Sequence, residues 1–193
     1  MRIGIFGGSF DPVHIGHISL ALECWHELAL DKVLLVPANI SPFKFCKIAS
    51  SPSDRLNMLR LAISNDGRFG ISTVELDRGG VSYTVDTLVE LKKEYGSKAE
   101  FFLLMGADSA GGVSSWKDFE RIKEMASLVA VSRVSFKKNK FIDANFKFVE
   151  MPLMNISSTM IRDRVATKRP VEGFVSPLVA GYIRNKGLYR GMN

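Results

Sequence analysis

Short apolar runs alternate with longer amphipathic stretches along the chain. The runs are five to seven residues long and rich in aliphatic or aromatic side chains, which is typical of strands covered on both faces. The predicted strands lie at 2–6, 32–37, 69–75, 100–105, 128–132 and 147–151. Between them, apolar residues recur at helical spacing, as at Val85, Leu88 and Leu91. The predicted helices lie at about 15–29, 53–65, 84–95, 117–125, 158–168 and 176–186.

This alternation predicts an α/β fold, a Rossmann-like doubly wound parallel sheet with helices on both faces and C-terminal helices closing the chain. The 193 residues contain no repeat and no Pro/Gly/Ser-rich linker, which indicates a single domain over 1–193. Ligands in such folds bind beyond the carboxyl ends of the strands. The residues just after each strand are therefore the first candidates for function.

Composition narrows the class of protein. Apolar residues at 46% and charged residues at 24% are ordinary for a soluble globular chain. No apolar run approaches the roughly 18 residues of a membrane span, and the apolar start is too short for a secretory signal. Cys24 and Cys46 suggest neither a disulfide framework nor a zinc site. We therefore expect a cytoplasmic protein with no membrane partner.

The net charge of +6 is concentrated in the last third of the chain. Residues 133–193 carry 12 Lys and Arg against 4 Asp and Glu. Such a surplus is either a solvated basic face or a binding surface for an anion. Charge alone leaves both nucleic acid and a phosphorylated small molecule open as the partner.

The first predicted strand opens into a glycine-rich turn, Gly7-Gly8-Ser9-Phe10-Asp11-Pro12-Val13-His14-Ile15-Gly16-His17. The turn matches neither the GxGxxG of dinucleotide enzymes nor the P-loop. His14 and His17 are three residues apart at a predicted helix start, so both imidazoles can face one anion beside free N–H groups. Two of the three histidines of the chain lie here, which favours a phosphate site. Gly16 would let a substrate group press against the helix backbone.

This turn resembles the signature of the nucleotidyltransferase superfamily, in which (T/H)xGH follows a GG(S/T)FDP-type turn. Class I aminoacyl-tRNA synthetases share the letters HIGH, but they need a far longer chain and a KMSKS-like loop, which is not found in these 193 residues. Residues 156–164 read Ile-Ser-Ser-Thr-Met-Ile-Arg-Asp-Arg. They are similar to the second superfamily signature, ISxTxIRxR, which holds the triphosphate of ATP.

Three further stretches resemble bacterial nicotinate mononucleotide adenylyltransferases. The first joins the ELDR of 75–78 to the SYTVDTL of 82–88, and the second joins the MGAD of 105–108 to Trp116. The third is the ending, YI at 182–183 and KGLY at 186–189. The stretches occur in order and span nearly the whole chain, which makes the resemblance specific to this family.

The resemblance implies adenylyl transfer in NAD biosynthesis, in which ATP and nicotinate mononucleotide give nicotinate adenine dinucleotide and pyrophosphate. His14, His17 and Arg162 would be catalytic and would act on the phosphates. Mg²⁺ would come with ATP, without a dedicated cage of protein ligands. The other residues implied to bind ATP are Gly7, Gly8, Ser9, Phe10, Gly16, Gly106, Asp108, Ser157 and Thr159. The residues implied to bind the mononucleotide are Lys44, Tyr83, Thr84, Trp116 and Lys117.

Two alternatives stay open on the sequence. Pantetheine-phosphate adenylyltransferase shares both signatures, although it is typically shorter and lacks the features of 82–88 and Trp116. A basic nucleic-acid-binding protein without catalysis would instead interleave Lys137, Lys138 and Lys140 with Phe136 and Phe141. The resemblance favours the nucleotidyltransferase, with no nucleic-acid partner.

Overall fold

The computed structural model describes residues 1–42, 49–133, 146–152 and 154–191, with the backbone alone at Asp108 and Arg133. Six parallel strands form one sheet in the order β3-β2-β1-β4-β5-β6. The strands are β1 (Arg2–Gly8), β2 (Lys32–Pro37), β3 (Phe69–Ile71), β4 (Glu100–Gly106), β5 (Ala126–Arg133) and β6 (Phe146–Met151). The predicted doubly wound parallel sheet is confirmed.

Helices cover both faces of this sheet, as predicted. They are α1 (Ile15–Glu27), α2 (Pro52–Ile63), α3 (Val74–Arg78), α4 (Thr84–Tyr95), α5 (Ala107–Ala110), α6 (Phe119–Met125), α7 (Ser158–Ala166) and α8 (Pro177–Lys186). A short 3-10 helix covers Val113–Ser115. Helices α2 and α8 begin where serine caps are followed by proline, at Ser51 and Ser176, because proline fits the first helical position.

Side chains of alternate strand positions enter two separate cores. In β1, Phe6 joins the core beneath α1, α2, α7 and α8, whereas Ile5 joins the core beneath α4 and α6. In β4, Leu104 and Leu103 divide in the same way. Both faces of the sheet are therefore buried, which explains why the strands read as continuous apolar runs.

A crevice opens where the direction of strand order reverses. From β1 the chain moves outward through β2 to β3, and then returns to β4 on the other side of β1. Connections leave the adjacent strands β1 and β4 toward opposite sides, so their carboxyl ends, Gly8 and Gly106, border an open space. Both signature motifs and the cavity described below lie at this edge.

The prediction of a strand over 69–75 is wrong in its second half. Strand β3 ends at Ile71 and α3 begins at Val74, closed by a hydrogen bond from the N–H of Gly79 to the carbonyl of Glu75. The alternation of apolar and charged residues at 74–77 imitates a strand, and a five-residue helix is too short to show its own period. Helix α5 and the 3-10 helix escaped prediction for the same reason.

Within the described ranges, no helix is both long and apolar enough to cross a membrane.

Candidate active site

The turn after β1 folds its aromatic side chain inward. Phe10 has a left-handed φ of 48° and is 1% exposed, with its ring centroid 5.7 Å from that of Phe6. A Cβ at position 8 would lie 3.1 Å from the Phe10 ring, so Gly8 fits over it. Phe10 therefore supports the crevice from below, and its implied part in ATP binding stays a prediction. Gly7 and Gly8 do line it.

His14 and His17 stack on each other at the start of α1. Their ring centroids are 3.6 Å apart and their planes differ by 23°. Nδ1 of His17 accepts the backbone N–H of His14 at 3.2 Å. A neutral His17 therefore carries its proton on Nε2, because Nδ1 is occupied as an acceptor. The imidazole of His17 can thus act as an N–H donor.

Gly16 makes room for His14 rather than for a substrate group. A Cβ at position 16 would lie 3.1 Å from Nδ1 of His14, so the imidazole takes the space that the sequence assigned to ligand. Burial lowers the pKa of the His14 imidazole from its usual 6.5 to about 4. His14 is therefore neutral at neutral pH. Its Nδ1 is buried and has no hydrogen-bond partner within the described ranges.

The second signature docks directly on the first. Ser157 caps α7 by accepting the N–H of Met160 at 3.1 Å, and the Ser158 hydroxyl donates to the carbonyl of Pro12 at 2.9 Å. The N-termini of α1 and α7 therefore meet at the turn. Two such helix ends provide N–H groups and positive dipole ends for an anion.

Arg162 and Thr159 lie on the same face of α7, as their spacing predicts. Nη1 of Arg162 donates to the carbonyl of Asp11 at 2.8 Å, and Nη2 donates to the Thr159 hydroxyl at 3.2 Å. The guanidinium plane is thereby fixed next to the histidine turn. Thr159 and Ser157 are exposed, so both can reach a ligand.

The sequence did not predict the buried polar cluster that lies beneath this turn. The Asp11 carboxylate is 3% exposed and accepts hydrogen bonds from the Tyr189 hydroxyl at 2.8 Å and the Ala49 N–H at 2.6 Å. The Ser50 hydroxyl donates to the same carboxylate. Burial, together with the Asp11 charge, raises the pKa of Tyr189, so its hydroxyl stays protonated and donates. The end of the described chain thus holds the turn near its beginning.

Arg55 of α2 supports the same turn from another side. Its side chain is fully buried, and Nη1 donates to the carbonyl of Ser9 at 2.9 Å. Ser9 itself is half-buried at the crevice. Contacts of this kind join residues 46 and 178 positions apart, and no local pattern announces them. Asp11 within the turn and Tyr189 in the KGLY stretch were the only sequence features that could have indicated this cluster.

A cavity of about 410 Å³ opens beside the turn, at the carboxyl ends of β1 and β4. This volume suits a small-molecule ligand. Gly106, which the resemblance implies to bind ATP, lines it at the end of β4. The other polar or glycine residues in its wall include Gly7, Gly8, Ser41, Glu75, Ser82, Tyr83, Thr84, Thr87, Ser109, Ser115 and Lys117.

The N-terminus of α4 opens into this cavity. Tyr83 precedes the helix and Thr84 begins it, and both line the cavity. The N–H groups of Asp86 and Thr87 bond to the Tyr83 carbonyl, whereas no described side chain caps the helix. Helix α4 therefore presents backbone N–H groups and a positive dipole end to a ligand.

Trp116 and Lys117 complete the wall facing α4. Trp116 is half-buried and packs against the core beneath α4 and α6. Nζ of Lys117 lies 3.2 Å from the Asp86 carboxylate and 4.7 Å from the centre of the Tyr83 ring. Four of the five residues that the sequence implied for the mononucleotide thus share one cavity.

Glu75 is a further cavity residue that the sequence did not single out. Its side chain is 6% exposed, and its Oε1 accepts a hydrogen bond from the Thr87 hydroxyl at 2.7 Å. Burial raises the pKa of this carboxyl, while hydrogen bonds from Thr87 and Ser82 act in the opposite direction. The expected strand over 69–75 hid this role, because a strand does not bring Glu75 to α4.

Some sequence-implied residues fall outside the described part of the molecule. They are Lys44, the side chain of Asp108, and the lysines at 137, 138 and 140. Among the residues that are described, no group of three or more His, Cys, Asp or Glu could hold a metal ion. The expectation that Mg²⁺ comes with ATP stays a prediction.

Comparison with known proteins gives full-length relatives. A family model described as cytidylyltransferase-like matches residues 5–164. The chain is 43% identical to a protein of Thermus thermophilus named a probable nicotinate-nucleotide adenylyltransferase, over 98% of this chain and 100% of the relative. It is 38% identical to a protein of the same name from Shouchella clausii, over 100% of this chain and 98% of the relative.

Solved structures show the same fold. The nicotinic acid mononucleotide adenylyltransferase of Plasmodium falciparum complexed with NaAD matches with a TM-score of 0.81 and 21% identity, over 97% of both chains. The same enzyme complexed with APC matches with a TM-score of 0.80, over 97% of this chain and 96% of that chain. The sheet, its flanking helices and the crevice at its carboxyl edge thus belong to an established architecture.

Proposed function

Because the chain belongs to the cytidylyltransferase-like family and, within it, to the nicotinate-nucleotide adenylyltransferases, we propose that it transfers an adenylyl group from ATP to nicotinate mononucleotide. A phosphate oxygen of the mononucleotide attacks the α-phosphorus of ATP in line. The bond from the α-phosphorus to the oxygen bridging the α- and β-phosphates breaks, and pyrophosphate leaves. The other product is nicotinate adenine dinucleotide.

One observation carries this proposal: a cationic, donor-rich cluster for phosphates adjoins a cavity suited to a small acidic ring. The cluster consists of His17, Arg162 and the N-termini of α1 and α7. The cavity lies beside Gly7 and Gly8, which lead from β1 into that cluster. A reaction that joins two phosphates needs both substrates at such a junction.

The chemistry requires positioning and charge stabilisation rather than a general base. A phosphate monoester is already largely ionised at neutral pH, so its oxygen needs no further activation. The Nε2–H of His17 supplies a donor for charge that develops at the α-phosphate, and the neutral His14 braces that ring. Arg162 and Thr159 hold the phosphates that depart. Mg²⁺ arriving with ATP would supply further charge neutralisation at the same phosphates.

The cavity favours a carboxylate on the pyridine ring over an amide. Backbone N–H groups at the start of α4 are donors only, so an amide would place its NH₂ against an N–H. Leaving such groups unpaired costs about 1–3 kcal/mol each, which corresponds to about tenfold or more in kcat/KM. Trp116 stacks on either ring alike and does not separate the two. Family membership also favours this acceptor over phosphopantetheine, which the two signatures alone left open.

Pyrophosphate release from Mg-ATP tests the proposal directly. The acceptors compared are nicotinate mononucleotide, nicotinamide mononucleotide, 4′-phosphopantetheine and a single-stranded oligonucleotide. We expect kcat/KM for nicotinate mononucleotide to exceed that for nicotinamide mononucleotide about tenfold or more. Turnover with phosphopantetheine alone, or oligonucleotide binding without any turnover, would refute the assignment.

A His17→Ala variant serves as the control for contaminating activity. Loss of a preorganised donor lowers kcat on the order of 100-fold, with a smaller change in the KM for ATP. Pyrophosphate release that persists unchanged in this variant belongs to another enzyme or excludes His17 from the mechanism.

A further inference from the structure

The Glu75 carboxylate joins both sides of the short turn that leads into α4. Its Oε1 accepts the Thr87 hydroxyl at 2.7 Å, on the helix after the turn. The Ser82 hydroxyl, just before the turn, lies close enough to the same carboxyl to lower its pKa. The segment from Ser82 to Thr87, including Tyr83 and Thr84, is thus fastened to one buried group through Thr87.

The same turn is tied to the neighbouring connection after β2. The Asn39 N–H donates to the Ser82 hydroxyl oxygen at 2.9 Å, and the Ser82 N–H donates to the carbonyl of Ile40 at 2.8 Å. The Asn39 amide also reaches the carbonyl of Gly80 at 2.9 Å. Glu75 therefore sits at the centre of a network that joins three segments around the cavity.

The outer side of this network is electrically compensated. Nη2 of Arg78 donates to the Thr87 hydroxyl oxygen at 3.1 Å, and Nη1 donates to Glu90 at 2.8 Å. The Thr87 hydroxyl can donate to the carbonyl of Tyr83 at 3.3 Å or to Glu75 at 2.7 Å, and the shorter contact to Glu75 is the stronger one. The carboxylate of Glu75 is therefore engaged by Thr87.

Charge and position predict opposite effects of Glu75 on the choice of ligand. A negative carboxylate in the cavity wall repels the carboxylate of nicotinate and so favours the neutral nicotinamide ring. Fastening the turn through Thr87 has the reverse effect, because it keeps the N–H donors of α4 aimed at the carboxylate. The hydrogen bond from Thr87 to Glu75 indicates that the positioning effect exceeds the effect of charge.

We infer that Glu75, acting through Thr87 of α4, is a positioning residue that sets the preference for nicotinate over nicotinamide mononucleotide. The inference rests on the proposed function. It assigns to Glu75 no contact with the reacting atoms. Its effect belongs to the mononucleotide and leaves ATP binding alone, because the phosphate cluster of Arg162 and His17 shares none of these hydrogen bonds.

The test compares kcat/KM for the two mononucleotides in Glu75→Met, Thr87→Val and the double variant. Methionine has a similar length but no carboxylate acceptor, and valine has no hydroxyl donor, so each single change removes the hydrogen bond between these side chains with little change in shape. We expect kcat/KM for nicotinate mononucleotide to fall about tenfold, and that for nicotinamide mononucleotide less than about threefold. The double variant should lose no more than either single variant, because both act on one interaction. The KM for ATP should stay within about twofold.

Asp77→Asn is the matched control, since Asp77 lies on the same helix, is exposed and accepts the Thr73 hydroxyl at 2.7 Å away from the cavity. It should leave both substrates unaffected. If Glu75→Met does not fold, Thr87→Val alone carries the test.

An unchanged or increased preference for nicotinate in the folded variants overturns the inference, because charge rather than position then dominates. An unmutated enzyme that uses neither mononucleotide instead overturns the proposed function. The two failures are thus distinguished by the unmutated protein alone.

Discussion

At the phosphate cluster, the absence of a side chain at position 16 determines how the neighbouring rings pack. Gly16 has no side chain, and this lets the His14 ring lie against α1 and stack on His17. The backbone N–H of His14 then occupies Nδ1 of His17 and leaves Nε2 as the donor. A bulkier residue at position 16 would displace the ring that fixes this geometry.

Burial of His14 predicts a specific acid sensitivity. Its folded-state pKa of about 4 lies below the ordinary value of 6.5, so the unfolded chain binds more protons between these values. Stability is therefore fully present above pH 6.5 and is lost as the pH falls toward 4. From these pKa values we expect His14 to account for a loss of about 2 kcal/mol between pH 7.5 and pH 5.

Urea unfolding of the unmutated protein and of His14→Asn, at both pH values, measures this loss. Asparagine does not titrate, so the variant should show a pH dependence flatter by that amount. Equal pH dependence in the two proteins would show that His14 does not titrate as its burial requires.

Three helices have their N-termini at the candidate site. Helices α1 and α7 converge on the phosphate cluster, and α4 opens into the cavity. The first two are the signature motifs themselves. The arrangement brings backbone N–H donors and positive dipole ends for anions to one edge of the sheet.

Replacing Arg162 by lysine should separate the effect of its charge from the effect of its shape. Arg162→Lys keeps a cation but loses the two-directional fork that joins Asp11 to Thr159. We expect the KM for ATP to rise about tenfold, while that for the mononucleotide changes less than about twofold. Steady-state kinetics with each substrate varied in turn measures both.

Arg169→Lys is the matched control just beyond the same helix, because Arg169 is exposed, lies outside the signature and donates to the Thr167 hydroxyl at 3.0 Å. It should leave both constants unchanged. A mononucleotide KM that rises in Arg162→Lys while the ATP KM holds would reverse the orientation of the substrates.

Elements were predictable from sequence to the extent that their signals are local. The runs at 32–37 and 84–95 match β2 and α4. Strand β2 is buried on both faces and α4 on one face, and each kind of burial gives a clear pattern of apolar residues in the sequence. Motif residues such as His17 and Arg162 could be named for the same reason. The hydrogen bonds of Glu75 and Asp11 could not, since their partners come from other elements and depend on how the sheet is assembled.

At the scale of the whole molecule, Asp11 joins segments that are distant in the sequence. The carboxylate is surrounded by Tyr189, Ser50 and Ala49, and Arg55 supports the adjoining Ser9 carbonyl. The histidine turn therefore depends on α2 and on the chain after α8, although neither lines the cavity. Stability and catalysis are coupled through this cluster.

Tyr189→Phe should expose that coupling. The variant keeps the buried ring but removes a donor to a buried carboxylate, which costs about 1–3 kcal/mol of unfolding free energy. Urea unfolding at neutral pH measures the loss. Tyr182→Phe is the control, because the Tyr182 hydroxyl donates to the half-exposed Asp54 at 2.8 Å and its loss should cost less. Equal losses in the two variants would mean that burial of Asp11 adds nothing.

The bond between Tyr189 and Asp11 also sets an order of events during biosynthesis. A ribosome releases Asp11 early, yet the tyrosine that completes its surroundings is synthesised 178 residues later. Strand β1 lies at the middle of the sheet, and its second neighbour, β4, is synthesised long after its first, β2. A nascent chain therefore carries the whole histidine motif long before it has a phosphate site, so nucleotides cannot assist the folding of unfinished chains.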